Sequence, residues 1–218
     1  MARTKEEKCF MEIKEFINPD VIYDIGAGQG MYFRDMITEK NRIVLCDVDN
    51  TFDSLWDSAY CGKDYKKCHL FIGERTRRGM EIEFFCNSEH SYYDTACTKM
   101  VKTLPKEHYN QRKFYRLVGM DYLLKKYGGK NILVKLDVNG LERDIIRGMS
   151  MLPKYIIFVH RCDMVDYTEE ILVRLKDYGF YLLNRKEIVS TKKSARELLK
   201  YLEGKKKYCV KHILGVRN

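Results

Sequence analysis

Asp24-Ile25-Gly26-Ala27-Gly28-Gln29-Gly30 is the segment from which the architecture of this chain can be read. It closes Val21-Ile22-Tyr23-Asp24-Ile25, a short apolar, β-rich run that predicts a buried strand entering a glycine turn. Glycines at such a turn tighten it and let the backbone approach a ligand with no Cβ in the way. Downstream, residues 31–39 read as a helix. Arg42-Ile43-Val44-Leu45-Cys46-Asp47 then reads as a second buried strand that also ends in an acid. A carboxylate about 20 residues past the loop can accept hydrogen bonds from both hydroxyls of a ribose. Strand, glycine turn, helix, strand and acid make the order expected of a nucleoside-binding α/β unit.

The alternation continues to the C-terminus. Before the loop, Cys9, Phe10, Ile13, Phe16 and Ile17 lie close to helical spacing over residues 5–17, and Asn18-Pro19 stops that run. After the second strand come a helix over 51–61, a third strand over 69–72 and a further strand over 81–86. Residues 70–86 read as a hairpin-like insertion around 75–79. Residues 87–112, rich in Ser, Tyr and Lys, show no clear periodicity. A helix follows over 119–127, ended by Gly128-Gly129, then a strong strand over 131–137, a helix over 141–149 and a strand over 155–160. The remainder reads as a helix over 168–178 up to Gly179, a strand over 180–183, a helix over 194–203 and a final strand over 208–216. This order predicts a single Rossmann-like α/β domain over 1–218, with an insertion around 73–112. Its sheet is expected to be mostly parallel and seven-stranded, with helices on both faces. Ligands of such sheets bind at the carboxyl ends of the strands, where strand order reverses.

Composition narrows the partners. A chain of 218 residues buries roughly 70% of its unfolded surface and needs no disulfide or metal to fold. The 40 basic residues outnumber the 31 acidic ones, for a net charge of +9. That excess favours an acidic partner such as nucleic acid, a nucleotide-bearing substrate or an anionic surface. The competing reading is a solvated lysine-rich surface, and the spread of the basic residues, with local knots at 75–78 and 205–207, weakens the nucleic-acid reading without removing it. None of the eight cysteines shows C-x-x-C or finger spacing, so no metal site is expected. No apolar run approaches the length of a membrane span. A soluble, cytoplasmic protein of a reducing compartment is the expectation.

The identity of the nucleoside follows from the glycine spacing. The dinucleotide fingerprint G-x-G-x-x-G requires glycine where this chain has Met31. The spacing here is G-x-G-x-G with Asp24 just before it, which resembles motif I of class I methyltransferases. In that family the acid sits near the amino-acid end of S-adenosylmethionine, a sulfonium cation with no pyrophosphate to hold. The resemblance implies that Asp24, Gly26, Ala27, Gly28, Gly30, Asp47, Val48 and Gly73 bind S-adenosylmethionine.

Residues 131–151, N-I-L-V-K-L-D-V-N-G-L-E-R-D-I-I-R-G-M-S-M, carry a closer resemblance. They are similar to the signature of the FkbM family of methyltransferases, close to K-[IL]-D-V-E-G-x-E-x-x-[VI]-[LI]-x-G. Lys135, Asp137, Val138, Gly140, Glu142, Ile146 and Gly148 fit it. The helix start Met120-Asp121-Tyr122-Leu123-Leu124 and Tyr178-Gly179-Phe180 fall in the matching order, so the resemblance spans about 21–184. Two positions depart from the pattern. Asn139 stands where the family usually has glutamate, and the strand over 156–160 ends in His160-Arg161 where a glutamate is common. The resemblance implies O-methylation of sugars, glycolipids or small metabolites.

Methyl transfer is an in-line displacement that needs alignment and, for a hydroxyl acceptor, sometimes a base. Asp137 ends the strand expected beside the glycine-loop strand, where it could orient the acceptor, take its proton or cap the following helix. Lys135, two residues earlier on the same strand face, pairs with a carboxylate near the site or serves as a structural cation. His160 is a candidate general base or a satisfied structural side chain. Together Asp137 and His160 are expected to flank the sulfonium methyl. Arg161 suits a substrate phosphate or carboxylate, Asn139 is a further substrate-binding candidate, and Tyr92 and Tyr93, with His90, form a lid, a stacking platform or part of the core. A small-molecule or glycan O-methyltransferase is therefore one reading. An RNA methyltransferase, for example a cap-type ribose 2′-O enzyme, is another. Enzymes of that second kind often carry a Lys-Asp-Lys-Glu tetrad. Asp137 and Lys14 could supply two members, but His160 and Arg161 stand where the second lysine would be. A fold that binds S-adenosylmethionine without turnover is the third.

Overall fold

In the computed structural model, the chain is described over residues 13, 17–48, 50–74, 79–86, 94–103, 109–183, 188–203 and 210–218. In chain order the strands are β1 (Val21–Ile25), β2 (Arg42–Asp47), β3 (Tyr65–His69), β4 (Phe71–Gly73), β5 (Glu81–Cys86), β6 (Gln111–Gly119), β7 (Ile132–Leu136), β8 (Tyr155–Arg161), β9 (Tyr178–Leu183), β10 (Ile188–Lys193) and β11 (Val210–Arg217). The α-helices are α1 (Asp53–Ala59), α2 (Thr98–Thr103), α3 (Met120–Tyr127), α4 (Glu142–Gly148), α5 (Val165–Arg174) and α6 (Ala195–Glu203).

The central sheet has the order β10-β9-β11-β8-β7-β1-β2-β3. Its seven strands from β9 to β3 form the expected mostly parallel frame, and β10 extends the β9 edge. β3, β2, β1, β7 and β8 are mutually parallel, whereas β11 runs antiparallel to both β8 and β9. All five residues of β1 and of β7 are buried, as a strand covered on both faces requires. One face packs Tyr23, Val44, Val134, Ile156 and Phe158 against Leu123, Ile145, Ile171 and Leu198 of α3 to α6. The other packs Ile22, Leu45, Leu133, Ile157 and Leu214 against Ile13, Phe33, Trp56 and Tyr60. β1 lies between β2 and β7, so strand order runs away from it in both directions and the carboxyl edge there is the switch point.

A second sheet, β4-β6-β5, lies beside this frame. The expected third strand over 69–72 is in fact two strands. Leu70 N–H still bonds Asp47 O in the central sheet, and from Phe71 the chain enters the small sheet. β4 and β5 do not pair as a hairpin, because β6 sits between them, parallel to β4 and antiparallel to β5. The sequence does not announce β6. Its Tyr115 and Leu117 turn into the core of the small sheet and Val118 packs against the central one, while Phe114 points outward at 65% exposure between the exposed Arg112 and Arg116, so no apolar alternation is visible. The core of the small sheet, Phe71, Phe84, Cys86 and Leu117, packs against Val48 and Leu141. The small sheet therefore leans on the chain just after β2 and just before α4.

Two further expectations are corrected. Residues 31–39 form turns and a single 3-10 turn, Arg34–Met36, not an α-helix. Carbonyls that a helix would bond internally are taken by side chains instead, Gly30 O by Tyr60 Oη and Arg34 O by Lys63 Nζ. The helix expected up to Gly179 ends at Arg174, and Gly179 lies inside β9 opposite Val216. β10 was not foreseen. Most of the helix expected over 5–17, together with Lys14, Tyr92, Tyr93, His90 and the basic knots at 75–78 and 205–207, lies outside the described residues. Cys46, Cys61, Cys68, Cys86 and Cys97 are free, and Cys162 is disulfide-bonded. No helix among the described residues is long and apolar enough to cross a membrane.

Candidate active site

The loop after β1 is held from beneath by its neighbours. Gly26 and Ala27 N–H both donate to Cys46 O on β2, at 2.9 and 3.1 Å. Asp137 N–H donates to Ile25 O at 3.0 Å, so the exit of β7 crosses directly over the loop. A Cβ on Gly26, which has φ +69°, would lie 2.0 Å from Asp137 O, so glycine is the residue that permits this crossing. Gly28, at φ +51°, is different: a Cβ there would meet nothing within 4 Å, and the loop is open on that side. From α1, Trp56 Nε1 donates to Gly28 O at 2.9 Å, and Tyr60 Oη, just past the helix, donates to Gly30 O at 2.5 Å. Neither aromatic residue was singled out from the sequence, since each reads locally as core.

Asp47 ends β2 with its carboxylate pinned by two backbone amides, Gly28 N–H to Oδ2 at 2.8 Å and Val48 N–H to Oδ1 at 2.7 Å. A carboxylate has about four acceptor sites, so two amides orient it without saturating it. Gly73 belongs to β4, pairs with Gly119, and its missing side chain makes room for Leu117, which a Cβ would meet at 2.6 Å.

Asp24 and Lys135 are register partners on β1 and β7. Lys135 Nζ lies 2.8 Å from Asp24 Oδ1, 3.4 Å from Gly26 O and 3.9 Å from Asp137 Oδ2. Its ammonium also sits 4.9 Å from the centre of the Tyr32 ring. Burial works against its charge, but Asp24, Asp137 and Asp47 more than offset this and raise its pKa above the ordinary lysine value. Asp24 Oδ2 is buried with no hydrogen-bond partner among the described residues.

Asp137 keeps 30% side-chain exposure. Burial favours its neutral form, yet Lys135 and the neighbouring His212 prevail and hold its pKa down to about 2. Such a carboxylate is ionised at neutral pH and a poor proton acceptor, so its geometry suits orienting an acceptor more than deprotonating it. The turn that follows is clamped by Glu142, whose Oε1 and Oε2 accept Val138 N–H at 3.0 Å and Gly140 N–H at 2.9 Å. Burial raises the Glu142 pKa to about 7 despite these amides. Asn139 between them has φ +50°, a conformation asparagine tolerates better than most residues. Its side-chain amide donates to Asp94 O at 3.1 Å, and its carbonyl accepts from Thr95 Oγ1 at 2.6 Å, which ties the 94–97 segment to the turn.

The expected meeting of Asp137 and His160 does not occur. Leu136 pairs with Phe158, so the position level with Asp137 on β8 is Val159, and His160 is one step further on. Because side chains alternate, one step reverses the face. His160 follows Ile156 and Phe158 onto the α3–α6 side, fully buried, with Nδ1 2.8 Å from Thr168 Oγ1 of α5 and Nε2 3.8 Å from Cys162 Sγ. Arg161 forms a two-point ion pair with Asp163, at 3.1 and 2.9 Å. The histidine that does reach Asp137 is His212 on β11, which the sequence reading passed over as part of a terminal strand. Its Nε2 lies 3.5 Å from Asp137 Oδ2.

These features define a Rossmann-like α/β protein with a glycine loop and a pinned acid at the switch point of its sheet. No protein family matches the chain, including the one that residues 131–151 resemble, and no curated protein matches it. Among solved structures, the chain is similar to the precorrin-6Y C5,15-methyltransferase of Geobacter metallireducens, at 10% identity and a TM-score of 0.47 over 100% of this chain and 90% of that one. It is also similar to the E. cuniculi Mtq2–Trm112 complex responsible for methylation of the eRF1 termination factor, at 11% identity and 0.41 over 100% and 98%. A third similarity is to the plantazolicin methyltransferase BpumL in complex with SAH, at 12% identity and 0.41 over 99% and 83%.

Proposed function

We propose that this chain is an S-adenosylmethionine-dependent methyltransferase acting on a hydroxyl of a small molecule or glycan. The observation that carries the cofactor is the electrostatic setting of the glycine loop. Asp24, Asp47 and Asp137 surround it, Asp24 Oδ2 is a buried acceptor with no partner among the described residues, and the loop runs into a 3-10 turn. A pyrophosphate would meet three carboxylates against the single buried ammonium of Lys135, already paired with Asp24, and without the fan of amides that an α-helix N-terminus offers. A cationic nucleoside suits the same ground. When bound, S-adenosylmethionine supplies an electrophilic methyl group. Asp47 would hold the ribose, Asp24 and the open backbone at Gly28 the amino-acid end, and Asp137 would orient the acceptor. The FkbM resemblance of residues 131–151 supports a small-molecule or glycan hydroxyl as that acceptor.

A second reading, an RNA acceptor, is favoured by the net charge of +9 and by the exposed Arg112, Lys113, Phe114 and Arg116 on β6, since cations and an aromatic face together suit single-stranded nucleic acid. Incubation with labelled S-adenosylmethionine against capped RNA, uncapped RNA and cell-extract glycans and metabolites separates the two. Label in the glycan or metabolite fraction is expected, and label confined to RNA selects the second reading. Binding of S-adenosylhomocysteine with no transfer to any fraction would identify a non-catalytic binding protein.

A further inference from the structure

β11 enters the sheet against the grain. Its neighbours β8 and β9 both run antiparallel to it, so its first residues arrive at the edge where the parallel strands end. Register places His212 opposite Val159, the position level with Asp137. His212 is two residues from Leu214, and Asp137 four from Leu133, both members of the same core cluster, so the two side chains share one face of the sheet. The imidazole reaches within 3.5 Å of the carboxylate, and the Tyr32 ring stands 6.2 Å from it while also facing Lys135. The carboxylate keeps 30% side-chain exposure and the imidazole 10%, with Nε2 itself the buried nitrogen on the Asp137 side.

Asp137 is ionised and paired, which makes it an orienting and charge-balancing group. Histidine is the side chain whose charge changes near neutral pH. Resting on the methyltransferase reading above, we propose that His212, and not His160, takes the proton of the acceptor hydroxyl, with Asp137 balancing the imidazolium that results. As the acceptor oxygen bonds to the methyl carbon, the carbon–sulfur electron pair stays with sulfur and the hydroxyl proton passes to the imidazole. The acceptor class that needs such a group is an alcohol or sugar hydroxyl, which does not ionise unaided.

The test uses the full chain and the acceptor fraction (capped RNA, uncapped RNA, glycans or metabolites) that the wild type labels. His212→Ala should lower transfer at least about 100-fold, the low end of what general-base catalysis contributes. Added imidazole should restore part of the rate, and affinity for S-adenosylhomocysteine should stay within about threefold of the wild type. His212→Gln, which keeps bulk and polarity but cannot act as the base, should show the same loss and serves if the alanine variant does not fold. A readout independent of turnover is NMR of 13C-labelled histidine. The His212 signal, identified by its absence in the glutamine variant, should move on Asp137→Asn and on addition of S-adenosylhomocysteine. Transfer by His212→Ala within about threefold of the wild type overturns this role alone. So does a loss that imidazole does not rescue, or a His212 signal unmoved by both perturbations. A wild type that binds S-adenosylhomocysteine but labels no fraction overturns the methyltransferase reading and this role with it.

Discussion

Lys135 and Asp24 face each other on adjacent strands at 2.8 Å, with no solvent exposure of either side chain. Removing one member of such a pair leaves the other as an uncompensated buried charge, which costs about 3–5 kcal/mol. Lys135→Met should therefore destabilise the protein by that amount in urea unfolding. The double variant Lys135→Met with Asp24→Leu should recover a large part of it. A single-variant cost below about 1 kcal/mol would mean the pair does not hold β1 to β7.

Asp47 carries the ribose assignment. Asp47→Ala should weaken S-adenosylhomocysteine binding at least about tenfold by calorimetry, since each hydrogen bond to a charged group contributes roughly 1.5–3 kcal/mol. Unchanged affinity would remove Asp47 from the site. Tight NADH binding by the wild type would contradict the carboxylate-ringed loop as a cation site.

The two glycines of the loop should fail differently. Gly26→Ala drives a methyl group to 2.0 Å from Asp137 O and strains a backbone at φ +69°. It should lower stability by about 3 kcal/mol or more, because the exit of β7 has to move. Gly28→Ala meets open space and bears only the backbone strain, about 1–2 kcal/mol. Its methyl group would stand where a ligand approaches, so affinity for S-adenosylhomocysteine should fall more than stability does. Equal losses of stability in both variants would refute this division.

Glu142 and Asp137 should give stability opposite pH dependences. Glu142 has a folded pKa of about 7 against an unfolded value of 4.5, so between those values the folded state binds a proton that the unfolded state lacks. Its contribution is full below pH 4.5 and is lost as pH rises towards 7, on the order of 3 kcal/mol in all. Asp137, held down to about 2 from 3.8, contributes above 3.8 and loses that contribution as pH falls towards 2. Urea midpoints measured from pH 4.5 to 8 should decline with rising pH in the wild type and flatten in Glu142→Gln. A slope that survives the substitution would place the titrating group elsewhere.

The frame of the sheet was legible in the chain because its signals are local. Val21 to Ile25, Arg42 to Asp47, Ile132 to Leu136 and Tyr155 to Arg161 are predominantly apolar runs, each followed within two residues by Gly or Asp, and strands buried on both faces have to look like that. Gly26, Gly28 and Asp47 were legible for the same reason, since a turn and a strand-end acid depend on a few neighbouring residues. β6 was not, because its outer face carries Arg112, Phe114 and Arg116 and hides the inward alternation.

Which residues meet at the edge was decided by tertiary structure alone. His160 and Asp137 both stand at strand ends in the sequence, but pairing of Leu136 with Phe158 puts them one step out of phase, and one step in a strand is the other face of the sheet. His212 comes to Asp137 from a strand more than seventy residues away in the chain, inserted antiparallel beside β8. Register and strand direction are properties of pairs of segments, so no reading of either segment by itself contains them.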